Sequence, residues 1–476
     1  MIALLAGSVA LAVKRGLARL ALPMLLIAAA MLASPARAAT DIERVVSPGG
    51  IEAWLVREPG LPLVAIDFSF RGGSSQVPAA KAGLANLVTD LLDEGAGDLD
   101  SRAFHEKVET HAIGLGFSAS RDQITGSLRT LAEHQDVAFD LLRLALTKPR
   151  FDPEVLERVR AQVMSSLRRG TTSPNEIAGR RWWAAAFPGH PYAIPVSGTL
   201  ETVPTLTRDD LVNFAHNTFT KDTLKIGIVG NIDAQAAGMI VDRIFGDLPA
   251  KSRRVPVPDV EPADLGNRIA VDLDVPQSVV MIGGPGIARD DPDFIPAYVL
   301  NHILGGGSFT SRLYREVREV RGLAYSVYSA LLPLDHSALF IAGTGTRSDR
   351  AVEAVGVIQD QIRKMAESGP TDAELADAKS YLKGSFALRF DTSSKIANQL
   401  VQMQVENLGI DYIARRNGLI DAVTIGDVRR VARRLLDNRM LTVVVGRTAG
   451  PTVAGEAAPA AAPPAAAAAP ANRLTR

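Results

Sequence analysis

One order of elements occurs twice along this chain, and that repetition confines the fold to two copies of a single unit. Residues 200–211 (LETVPTLTRDDL) lead through Val212, Phe214 and Phe219 to the strand-like run LKIGIVG at 224–230. Residues 419–428 (LIDAVTIGDV) lead through Val431, Leu435 and Leu436 to LTVVVG at 441–446. Both read as a helix N-cap, an amphipathic helix, a short turn and a buried strand ending at Gly. Upstream, Phe151-Asp152-Pro153 and Pro370-Thr371-Asp372 each open a further helix, so three matched elements keep their order. Each half also starts with β-rich material, residues 63–70 and 278–284, followed by helical segments at 83–92 and 296–304. The prediction is two tandem two-layer α/β domains, each a sheet covered by helices.

The stretch 249–262 is rich in Pro and charge, which predicts an extended, stiff linker over residues 249–267. It separates an N-terminal domain at 39–248 from a C-terminal domain at 268–450. Residues 451–476 are dominated by Ala and Pro, a composition that cannot bury a core and reads as a disordered tail. At the other end, Lys14, Arg15 and Arg19 precede an apolar run at 20–33 and the A-x-A pattern Ala36-Arg37-Ala38. That run is about 14 residues, short of the roughly 20 needed to span a bilayer. Residues 1–38 are therefore expected to be a signal peptide cut after Ala38, with a periplasmic or secreted product; an uncleaved membrane anchor is the alternative.

Lys+Arg and Asp+Glu are both 52, and removing residues 1–38, which hold four basic residues and no acid, leaves 48 against 52. No basic footprint for nucleic acid exists in that balance. With no cysteine, thiolate metal sites, disulfides and a cysteine nucleophile are all excluded. A serine nucleophile elbow is also missing, because Gly72-Gly73-Ser74-Ser75 lacks the closing Gly.

Two segments carry chemistry. The first is GLANLVTDLL at 83–92, and the second is LGGGSFTSRLYREVREVRGLAYSV at 304–327. Together they make residues 41–446 resemble the insulinase/pitrilysin family of metallopeptidases, in its two-domain branch of processing peptidases. The resemblance implies an α+β, clamshell-like pair of homologous domains around a chamber. In that family the first helix carries H-x-x-E-H, two zinc-binding imidazoles and a general base. Here the three slots hold Asn86, Thr89 and Asp90, and the later helix position for the third ligand falls at Ser166. One carboxylate and no imidazole do not hold zinc against water, so the resemblance implies no cofactor in this chain and zinc in a partner subunit.

In the second segment the resemblance assigns Arg318 and Tyr325, seven residues apart, to the peptide carbonyl near the scissile bond. A charged fork and a neutral hydroxyl both suit an oxygen gaining negative charge. It also makes Gly305, Gly306 and Gly307 a flexible loop lining the chamber. Read from residue pattern alone, Arg312, Arg315, Arg318 and Arg321 alternating with Glu316 and Glu319 also fit i,i+4 ion pairs on a solvated helix.

Other clusters have plainer readings. Asp90, Asp93 and Glu94 fit a solvated helix end, and His105, Glu106, Glu109 and His111 match neither H-E-x-x-H nor its inverse. Trp182, Trp183 and Tyr192 read as core packing that can also brace an interface. The functional expectation is a substrate-binding, catalytically inactive subunit, completing with Arg318 and Tyr325 the site of a homologous H-x-x-E-H partner that acts on unfolded or short peptides. A structural or chaperone-like peptide-binding protein without proteolysis is the alternative, and a peptidase with an unrecognised metal site is a third reading.

Overall fold

The computed structural model describes residues 41–436 and 439–447; the expected signal peptide and Ala/Pro tail lie outside them. In the first half, β1 (Ile42–Val46), β2 (Glu52–Arg57) and β3 (Leu63–Arg71) precede α1 (Leu84–Thr89) and α2 (Ser101–Thr110). The hairpin β4 (Gly114–Ala119) and β5 (Gln123–Leu131) follows. Then come α3 (Gln135–Thr147), α4 (Pro153–Gly170), α5 (Pro174–Ala186), α6 (Arg208–Thr218), β6 (Leu224–Gly230) and α7 (Ala234–Phe245).

The second half repeats the plan. It runs β7 (Arg268–Asp272), β8 (Gln277–Pro285), α8 (Phe294–Asn301), β9 (Ala324–Pro333) and β10 (Ala338–Arg347). Five helices and a strand complete it: α9 (Ala351–Ser368), α10 (Asp372–Gly384), α11 (Ser393–Val405), α12 (Tyr412–Ala422), α13 (Ile425–Leu436) and β11 (Leu441–Gly446).

The two sheets have one topology. Their strand orders are β1-β2-β6-β3-β5-β4 and β7-β11-β8-β10-β9, so β2, β6, β3, β5 and β4 correspond to β7, β11, β8, β10 and β9. The parallel pairs also correspond, β2 with β6 and β7 with β11. Helix starts repeat as well. Thr207 caps α6 reciprocally with Asp210, and Thr424 with Asp427 does the same at α13.

Alternating residues of each strand feed two different cores. On one face Ala53, Leu55, Val64, Ile66, Phe68, Ile226 and Ile228 pack under the first half's own helices. On the other, Trp54, Val56, Ala65 and Val229 meet Ile396, Ala397, Leu400 and Met403 of α11, a helix of the second half. The converse holds for the second sheet. Leu339, Ile341, Leu441, Val443 and Val445 pack against Ile177, Ala178 and Trp182 of α5, a helix of the first half.

The halves therefore exchange equivalent helices, adding a borrowed third layer to each expected two-layer unit. The exchange is close-packed: a Cβ on Gly227 would lie 2.4 Å from the Ala397 carbonyl oxygen, and one on Gly283 2.5 Å from Cζ2 of Trp182. Polar tethers reinforce it, with Gln404 donating to the Ile226 carbonyl at 2.8 Å and the Trp182 indole to that of Leu441 at 3.3 Å.

Residues 251–262 contain no helix or strand, as an extended connection requires. Hydrogen bonds pin it along the way: the Ser252 amide to Asp222, the Val255 amide to Gln76, and the Val260 amide to the His336 carbonyl.

Candidate functional site

Gly83 enters helix α1 with φ 95°, a left-handed conformation that sets its start, and the helix ends at Thr89 rather than continuing to Leu92. Its apolar stripe, Leu84, Ala85, Leu87 and Val88, is buried in the first core, which turns Asn86 and Asp90 together onto the opposite side. There the Asn86 amide donates to the Asp90 carboxylate at 2.8 Å. The Thr89 hydroxyl is buried and donates to the Asn86 carbonyl at 2.8 Å. Asn86, Asp90 and Ser166, which α4 supplies, border one cleft of ≈ 970 Å³; Thr89 does not reach it.

The resemblance placed zinc chemistry here, and the residues present do not fit that ion. Of the three ligand positions that border the cleft, the one carboxylate, Asp90, is already bonded to a neighbouring amide, and the other two groups are an amide and an alcohol. Among the described residues no group of three or more His, Cys, Asp or Glu is arranged to hold a metal.

The neighbouring acids serve the structure. Burial raises the Glu94 carboxyl, but the Ser101 hydroxyl and Arg158 guanidinium, each 2.5 Å away, outweigh it and hold the group below its usual range. His105 approaches the same carboxylate at 3.4 Å. Burial pushes Asp93 up. His111 turns away, bonding the Lys107 carbonyl at 2.8 Å and packing edge-on against His134.

The second segment assembles its two expected contact residues. A π-helical turn over Tyr314–Glu319 carries Arg318 next to β9, and Tyr325 stands at the start of that strand, 81% exposed. The Arg318 guanidinium lies 4.8 Å from the Tyr314 ring centroid and 4.6 Å from that of Tyr325, and it donates to the Tyr314 hydroxyl. The guanidinium thus makes cation–π contacts with both rings. Neither residue borders the cleft beside α1.

Two expectations about this segment need correction. The glycine run is not an open loop: α8 continues into a π-helical turn, His302–Gly306, and Gly305 is buried where a Cβ would sit 2.5 Å from the Ser329 amide nitrogen. The i,i+4 ion pairs do not form either. Glu316 pairs with Arg315 at 3.4 Å and with Arg321, five residues on, at 2.7 Å, because a π turn brings i and i+5 together. Arg312 pairs instead with Glu374 of α10, through two contacts of 2.6 Å.

Sequence reading missed one further cluster. Trp182 and Tyr192 do pack in a core, and that core lies between the halves. The Tyr192 hydroxyl donates to the Asp122 carboxylate at 2.8 Å and accepts from the His336 amide at 3.0 Å, while the Asp335 amide reaches Asp122 at 3.1 Å. Burial raises Asp122, and burial with the adjacent carboxylate raises Tyr192, so this network favours the phenol. Beside it Arg121 lies 3.5 Å above the Trp183 ring and donates through Nε to the Tyr192 carbonyl at 3.1 Å. The aromatic run at 182–192 was the visible signal, but its partners lie on two distant hairpin turns.

Comparison with known proteins agrees with this architecture. The family described as "Insulinase (Peptidase family M16)" matches residues 55–200, and "Peptidase M16 inactive domain" matches residues 205–382. The non-peptidase homolog YmxG of Helicobacter pylori is 29% identical over 342 residues, covering 71% of this chain and 78% of that protein. An uncharacterized zinc protease of Mycobacterium leprae is 26% identical over 409 residues, covering 85% and 91%. The crystal structure of a peptidase M16 inactive domain from Pseudomonas fluorescens superposes with a TM-score of 0.80 at 28% identity, covering 86% of this chain and 98% of that one. With both halves matched in order and the ligand positions held by Asn86, Thr89, Asp90 and Ser166, the chain belongs to the insulinase family, peptidase family M16, as a catalytically inactive M16-type protein.

Proposed function

We propose that this chain is the substrate-binding, non-catalytic subunit of a heterodimeric zinc metalloendopeptidase that degrades or processes unfolded or short peptides in the periplasm or outside the cell. The observation that carries the reading is the asymmetry between the two segments. The Arg318 guanidinium lies over the Tyr325 ring, whereas the α1 positions hold a hydrogen-bonded Asn–Asp pair. A homologous partner bearing H-x-x-E-H supplies the metal-activated water and its general base. This chain's Arg318 and Tyr325 donate to the peptide carbonyl oxygen and stabilise the charge it acquires as the tetrahedral centre forms.

The test is reconstitution. The purified chain hydrolyses no peptide with zinc present, and the mixture with its H-x-x-E-H partner does. In that mixture Arg318→Ala and Tyr325→Phe each lower turnover by about 10²-fold or more. Unchanged turnover with both variants would refute the shared site, and a mixture without activity would favour a peptide-binding role without proteolysis, the reading closer to the Helicobacter pylori non-peptidase relative. Export is checked by amino-terminal sequencing of the native protein, with Ala39 as the expected first residue.

A further inference from the structure

The cleft beside α1 has lost the family's ligand set, and its charged lining carries one more cation than acid. Arg121, Arg169 and Arg180 line it, against the two acids Asp90 and Glu176. Asp90 is tied to Asn86. Among the described residues none of the three arginines forms an ion pair, in a chain where many surface arginines do. Arg169 donates to the Ser165 hydroxyl at 2.8 Å, and Arg180 lies exposed on α5.

Arg121 is the most constrained of the three. Trp183 stacks beneath its guanidinium and Nε is fixed on the Tyr192 carbonyl, so the group is held flat at the cleft wall. Among the described residues its two terminal nitrogens have no hydrogen-bond acceptor. Burial lowers this guanidinium to about 10, still charged at neutral pH. A desolvated, pre-oriented cation with its outer edge open is poised for a planar, two-oxygen anion. The amino end of α5, where Ser173 makes no capping hydrogen bond, borders the same cleft and adds positive potential. The remaining wall includes Val159, Val163, Leu167 and Pro195, apolar surface suited to peptide side chains.

We infer that this cleft is a carboxylate-binding site, in which the terminal nitrogens of Arg121, assisted by Arg180, grip a peptide's C-terminal carboxylate or an acidic side chain. The inference rests on the reading of the chain as a peptide-binding protein. It concerns the chain alone, so its failure is separable from failure of the reconstituted peptidase.

Trp183 provides the readout, because an anion engaging the stacked guanidinium alters indole emission. Three probes are titrated into the full-length purified protein: N-acetyl-tetraalanine, its C-terminal amide, and the amidated peptide N-acetyl-Ala-Ala-Glu-Ala. Saturation by the first alone identifies a C-terminal carboxylate, by the third alone an acidic side chain, and by both a general carboxylate site; the neutral amide does not saturate. Arg121→Gln weakens the bound acid by at least about 10-fold, and Arg121→Lys keeps part of the affinity. Should Arg121→Gln fail to fold, Arg180→Gln, at an exposed position, weakens the same peptide by a few-fold, and added salt does so too. Equal binding of acid and amide, no saturable response to either acid at millimolar concentration, or affinity unchanged in a folded Arg121 variant (or, lacking one, in Arg180→Gln) would overturn the inference.

Discussion

Gly227 offers a sign test of the helix exchange. It lies on β6 directly beneath α11, and its φ is ordinary, so alanine meets no backbone obstacle. A Cβ there would stand 2.4 Å from the Ala397 carbonyl oxygen and 2.9 Å from the Leu400 Cβ. Carbon–oxygen contacts settle near about 3.3–3.6 Å, so α11 must retreat by about 1 Å. Ala397 and Leu400 are fully buried, and retreat also stretches the 2.8 Å bond from Gln404 to the Ile226 carbonyl. Overpacking of this kind costs about 1–3 kcal/mol. Backbone entropy acts the other way, since Gly→Ala at a compatible site stabilises by about 0.4–1 kcal/mol. The net expectation for Gly227→Ala is a loss of about 1–2 kcal/mol. Gly345→Ala on β10 is the control, because nothing lies within 4 Å of its Cβ position; it should gain a few tenths of a kcal/mol. Urea unfolding followed by far-ultraviolet circular dichroism reads both midpoints, with the m-values compared to guard against a changed unfolded state. If Gly227→Ala unfolds at the parent's midpoint or later, or the two variants shift together, α11 is not pressed onto this sheet.

Three further outcomes follow from named residues. Burial raises the Asp67 carboxyl to about 7 against 3.8 unfolded, despite a hydrogen bond from Asn398; the folded state then holds the extra proton, so its stability falls as pH rises from about 4 through 7. Asp67→Asn should flatten that part of the urea-midpoint profile and leave the protein more stable above pH 7 by on the order of 1–2 kcal/mol; an unchanged slope would mean that Asp67 titrates normally. Burial raises the Glu374 carboxyl, but the Arg312 fork and the Thr371 cap bring it to about 2, so this pair's contribution is present above about 4.5 and is lost as pH falls toward 2. Arg312→Ala should cost about 2–3 kcal/mol at pH 7 and less at pH 3, both read by chemical denaturation; a cost independent of pH would point to lost packing alone. Finally, Asn86→His, Thr89→Glu and Asp90→His combined with Ser166→Glu should retain about one zinc per chain after dialysis, measured by elemental mass spectrometry, where the parent retains none; no gain would show that 166 is the wrong position for the third ligand.

Tandem architecture was legible because its signals are local. The caps Thr207–Asp210 and Thr424–Asp427 and the apolar strands that follow recur within short windows. Helix exchange was not legible, because β2 reads simply as a continuous apolar run from Ala53 to Val56. Nothing in that run says that Ala53 and Leu55 meet the first half's helices while Trp54 and Val56 meet a helix more than 300 residues away. At the candidate site, the family resemblance, which residue spacing by itself does not supply, paired Arg318 with Tyr325 and grouped Asn86, Asp90 and Ser166. The resemblance misjudged the glycine run and the residue pattern misjudged the ion pairs, because Gly305, Gly306 and Glu316 lie in π-helical turns, whose register no 3.6-residue pattern conveys. Arg121 was invisible, since its partners Trp183 and Tyr192 lie more than 60 positions downstream.

The reciprocal loan of α5 and α11 dictates how this polypeptide must mature. Trp182 is synthesised long before its seat on β11, which is complete only at residue 446. At about 5–20 residues per second that interval is roughly 13–50 s, during which greasy surfaces on both the early sheet and the early helix stay bare. Until the last strand docks, that exposed apolar surface makes the nascent chain prone to aggregation. Two crowded chains can also trade these helices with each other, making intertwined dimers instead of monomers.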